Sequence, residues 1–245
     1  MMTSLSSQRG SAIVYVFIGV ILFAALALTF SRGMQGTTGD ASRKTAKVRS
    51  SQILEYADKI NMATQKLLLK GCSETELNFE HTYSDNGLIA WAQGTRLYNN
   101  PLAPVDGRCD IFEPNGKMKP VLFSQLGIPA SAFGGYALSD RLHFTSYIMS
   151  VQGVGDDTYI DLTFQSMVDV DTCNEINKAL GIEAASPPQS ELPYGGNGYT
   201  GTFTAGAGRQ INPVGSPLHG KDTGCYYSYE ATKQAYFFYK TLIAK

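Results

Sequence analysis

The chain has 245 residues, a formal net charge of -1 and a hydrophobic content of 43%. That composition is too apolar for an intrinsically disordered chain. A near-neutral balance gives no global field to gather nucleic acid, so a nucleic-acid partner is not expected. The aromatic residues are mostly Tyr and Phe, 14 and 12 against one Trp, a bias that favours strands and half-wet surfaces.

Residues 12–30 read AIVYVFIGVILFAALALTF without a charge, with Arg9 before and Arg32 after the run. As a helix they would extend about 28 Å, close to the thickness of bilayer hydrocarbon. The expectation is a single transmembrane helix over 11–31, with the membrane itself as a partner. The flanking charges conflict with an exported domain. Arg43, Lys44, Lys47 and Arg49 follow the helix, and basic residues concentrate on the cytoplasmic side.

The start, SSQRGSAIVYVFIGVILFAALALTF, resembles a type IV prepilin leader and helix. Residues 1–10 match the short polar leader, and Arg9-Gly10 the basic-Gly pair that ends it. The resemblance implies cleavage by a prepilin peptidase between Gly10 and Ser11, and association with other pilin-like subunits. The fifth mature residue is usually Glu in that family, and here it is Tyr15. An uncharged phenol cannot pair with a buried α-amino group, so the resemblance points to a minor subunit, as in the tip pseudopilin of type II secretion, which also lacks this Glu.

Gly33, Gly36 and Gly39 fall in 32–40, and each would cost about 1 kcal/mol inside a helix, which predicts a flexible joint. Residues 41–245 then form the extracytoplasmic domain. From Ala41 to Lys70 the pattern is helical and amphipathic. Ala46, Ile53, Ile60 and Leu67 stand seven apart, Asp40 is the expected N-cap, and Gly71 fits the position past the C-terminus. This helix is expected to pack on the domain's sheet.

Short β segments are expected at Glu76–Glu80, Leu88–Gln93 and Arg108–Phe112, with turns at Asp106-Gly107 and Asn115-Gly116. The clearest strands are Arg141–Val151 and Thr158–Gln165, joined around 152–157 as a hairpin. Asp161, Thr163 and Gln165 alternate with Ile160, Leu162 and Phe164, so the second strand should have one wet face in an antiparallel sheet. A short helix follows, from an Asp171 cap to Gly181. Residues 183–222 form a long Gly/Pro/Ser loop, a length that is unusual unless the loop is functional. The C-terminal β-hairpin pairs Cys225–Tyr229 with Ala235–Leu242, and its tyrosines are expected in a core or half-core role, with Tyr226, Tyr229 and Tyr236 as the candidate binding face if they are exposed.

The four cysteines lack metal spacing. The sequence-local pairing, Cys72–Cys109 and Cys173–Cys225, is expected, each bridge stabilising by about 4 kcal/mol through loop entropy. Disulfides place the domain in an oxidising compartment, periplasmic or extracellular, and outweigh the charge bias. The fold class is therefore α+β and disulfide-stapled, anchored as a single-pass protein of the inner membrane. The segments GCSETELNFE, NNPLAPVDGRCDIFEPNG and GCYYSYEATKQAYFFYKTLIAK resemble those of a loose set of bacterial proteins with pilin-like N-termini, which implies no activity.

No constellation suggests catalysis or a cofactor. Asp156-Asp157 and Asp169-x-Asp171 lack the rest of an EF-hand loop. Ser166 and Ser228 lack a nucleophile elbow, and Ala205–Gly208 lacks a phosphate-binding fingerprint. His81, His143 and His219 are isolated in the sequence. The expected function is a membrane-anchored, pilin-like minor subunit of a surface filament or secretion apparatus. The alternative is a bitopic periplasmic binding module that uses the 183–222 loop and the Tyr-rich hairpin.

Overall fold

The computed structural model describes residues 11–35, 37–81, 100–129, 142–146, 149–156, 159–190, 198–205, 209–211, 215–230 and 233–245. The chain divides into two compact units, Met1–Thr45 and Ala46–Lys245.

Helix α1 is Ser11–Gln35 and α2 is Thr37–Leu69. The joint expected over 32–40 is thus helical on both sides of Gly36, which lies outside the described residues. Asp40 falls inside α2 rather than capping it. The leader, with Gly10, also lies outside the described residues.

The membrane expectation is corrected. Among the described residues no helix is long and apolar enough to cross a membrane. The single transmembrane helix, and the single-pass inner-membrane placement built on it, are therefore not supported.

The second unit is α+β. Its strands are β1 His143–Thr145, β2 Met149–Ser150, β3 Leu162–Val168, β4 Gln189–Ser190, β5 Arg209–Gln210, β6 Thr223–Glu230 and β7 Lys233–Ile243, and helix α3, Val170–Ala179, follows β3. Five strands form one sheet in the order β1-β3-β7-β6-β4. Its pairs are antiparallel except β4 with β6, and a separate parallel pair joins β2 to β5. The C-terminal hairpin is as expected, with Tyr226 opposite Phe237 and Tyr227 opposite Tyr236.

Opposed residues share a face of the sheet. One face carries Phe144, Phe164 and Phe238. Phe164 lies 5.1 Å from Phe144 and 5.9 Å from Phe238 between ring centroids. Tyr56 of α2 meets Phe164 edge-on at 6.3 Å. Ala46, Ile53, Tyr56, Ala57 and Ile60 are the buried stripe of α2, so the period-seven reading of this helix holds. Gln65 donates to the Leu242 carbonyl at 3.2 Å, and Lys240 meets Asp58 at 3.2 Å. These bonds fix α2 along β7.

The opposite face was expected to be wet, and it is not. Thr163, Gln165 and Asp161 are buried throughout. Part of the segment read as a loose 183–222 loop packs on this side. Leu218 presses on Gly224, where a Cβ would come within 2.8 Å of its Cδ2. The Tyr239 hydroxyl donates to the Lys221 carbonyl at 2.9 Å. Further along, the Tyr199 backbone N–H donates to Phe144 O at 2.8 Å, and Ile211 N–H to Ser150 O at 3.0 Å. Tyr199, Ile211 and Leu218 are themselves buried, so the segment is a strap pinned at these residues, while 183–186 and 219–222 are exposed.

The early β segments are corrected as well. Glu74–Glu76 is a turn of 3-10 helix, and isolated bridges pair Asn78 with Asp110 and Phe112 with Met118. Leu88–Gln93 lies outside the described residues. The N-cap of α3 is Asp169, whose carboxylate accepts from Thr172 N–H, with Asp171 inside the first turn.

Candidate functional site

The two disulfides are the ones expected. Cys72 and Cys109 have Cα atoms 5.9 Å apart and Cys173 and Cys225 5.4 Å apart, within the range of bridged pairs. The first joins the residue after α2's terminal turn, where Gly71 takes φ 96°, to the 100–129 region. The second joins α3 to β6. Bridges of this kind persist in oxidising compartments, periplasmic or extracellular, and the folded unit belongs to one.

Of the candidate Tyr face, one member lies in the core. Tyr226 is fully buried, with ring centroids 5.5 Å from Phe237 and 6.0 Å from Tyr239. Tyr236 is half-buried beside Tyr227, at 6.3 Å, and its hydroxyl pKa is raised by partial burial and by Tyr227. Tyr229 belongs to β6, but its side chain lies outside the described residues. Tyr226 therefore offers no exposed ring to a ligand.

Of the other candidates, Ser166 and Ser228 are buried within the sheet, where no substrate reaches them. His143 is buried on β1, and burial alone pulls its imidazole down to about 4. His81 is buried edge-on to Phe112 at 5.3 Å. His219 is exposed on the strap beside Gly153. The three are not brought together. Asp156 donates its backbone N–H to the Lys245 carbonyl, and Asp169 caps α3. Among the described residues no group of three or more His, Cys, Asp or Glu side chains stands ready to hold a metal ion.

One cleft, of about 220 Å³, opens where the 78–81 and 110–115 segments cross. The first bridge sets its geometry. Asp110 accepts from the side-chain amide of Asn78 at 2.9 Å on one oxygen and from that of Asn115 at 2.8 Å on the other. Glu80 and Glu113 stand on the rim, and Phe112 and His81 contribute rings. With both Asp110 oxygens engaged, this carboxylate is braced as a structural acceptor. The sequence reading found the Asn115-Gly116 turn but not the cleft, because Asn78 and Asp110 are distant in the chain and only the nearby Cys72–Cys109 bridge hints at their meeting.

The remaining feature is α1. Tyr15, Val16, Phe17, Ile18, Val20, Ile21, Leu22, Phe23 and Leu26 are all exposed, Tyr15 at 72%. An apolar surface on every side of a helix needs a cover. The described part of α1 begins at Ser11.

No protein-family model matches the chain, no curated protein matches it, and no solved structure matches it.

Proposed function

We propose that the protein is a pilin-like minor subunit of a surface filament or secretion apparatus, a structural and interaction protein rather than an enzyme. The observation that carries this reading is the uncovered apolar surface of α1, from Tyr15 to Leu26. Burial against apolar helices of neighbouring pilin-like subunits removes that surface from water. At roughly 25 cal/mol per Å² of apolar area, even partial cover of nine large side chains is a strong drive to associate.

Minor status rests on Tyr15. A carboxylate at that position would neutralise the α-amino group of an adjoining subunit created by cleavage at Gly10-Ser11. A phenol leaves that charge unpaired in an apolar setting, which costs several kcal/mol. A subunit at a filament end, where its amine stays hydrated, avoids most of this penalty. The test is composition. Filaments sheared from cells, or complexes captured through a tag on this chain, should contain it at a small fraction of the major pilin-like subunit. Equal stoichiometry, or capture without any pilin-like protein, overturns the reading.

A further inference from the structure

We draw no further inference here: the strongest candidate, the cleft between the 78–81 and 110–115 segments with Glu80, Asp110 and Glu113 at its walls, is an acidic cluster with no second feature that assigns it a ligand.

Discussion

Asn177 of α3 acts as a surrogate strand for Cys225 of β6. Its side-chain amide donates to the Cys225 carbonyl at 2.8 Å and accepts the Cys225 N–H at 2.9 Å. Both residues are buried. The contact closes the β6 backbone where β4, paired only at Tyr227 and Ser228, does not reach. Cys173, on the same helix, holds the same strand residue through its disulfide.

Removing that amide orphans two buried backbone groups. Each unpaired group costs about 1–3 kcal/mol, so Asn177→Ala should destabilise the oxidised protein by about 2–4 kcal/mol. Urea titration monitored by circular dichroism measures the change. A loss below about 0.5 kcal/mol would mean that water reaches Cys225 and that the edge is not closed by Asn177.

The disulfides should contribute separately. Non-reducing peptide mapping is expected to recover Cys72 linked to Cys109 and Cys173 linked to Cys225. Replacing both members of either pair with serine should lower stability by about 3–4 kcal/mol, with the wider 52-residue separation giving the larger effect in the loop-entropy account. Crossed linkages in the map would refute the packing of α3 on β6.

His143 makes the fold acid-sensitive. Its pKa falls from 6.5 in the unfolded chain to about 4 in the folded one, because burial penalises the charged ring. The unfolded state therefore binds the proton first as pH drops. The neutral ring's contribution is fully present above pH 6.5 and is lost as pH falls through about 4. Its total is about 3 kcal/mol by linkage. His143→Gln should flatten the stability profile between pH 6.5 and 4 relative to wild type. An unchanged slope there would show that the imidazole is hydrated in the folded state.

Asp161 is fully buried, and its two oxygens accept from the Val151 N–H at 2.7 Å and the Lys245 N–H at 2.8 Å. Lys245 in turn stands over the Phe203 ring at 4.6 Å and pairs with Glu74. Asp161→Ala should therefore cost about 2–4 kcal/mol by leaving those donors unpaired. Faster amide exchange at both Val151 and Lys245 is the local signature expected. If both amides keep their protection, the carboxylate is not what holds them.

Elements carried by local pattern were legible in the sequence. The apolar spacing of Ala46, Ile53 and Ile60 identified the buried side of α2, and the dense aromatics of β6 and β7 identified the hairpin. Patterns that depend on distant cover were misread. Thr163 and Gln165 look like solvent-facing residues, but both are buried, and Leu218, from a stretch with no periodicity, packs on the same face at Gly224. The α3 cap moved from Asp171 to Asp169 because only Asp169 has its carboxylate in reach of the Thr172 N–H. The uncharged run at 12–30 read as a span by length, yet no described helix meets that requirement. The cleft had no local signal, since its Asn78–Asp110 bridge is set by tertiary contact.

The N-terminal sequence of the mature protein, isolated from cells with an active prepilin peptidase, tests the central claim most directly. The pilin-like reading predicts that the mature chain starts at Ser11, and that Gly10→Val, which puts a branched side chain at the scissile bond, leaves the leader attached. A wild-type chain that still carries its leader while other prepilins in the same cells are cut would contradict it.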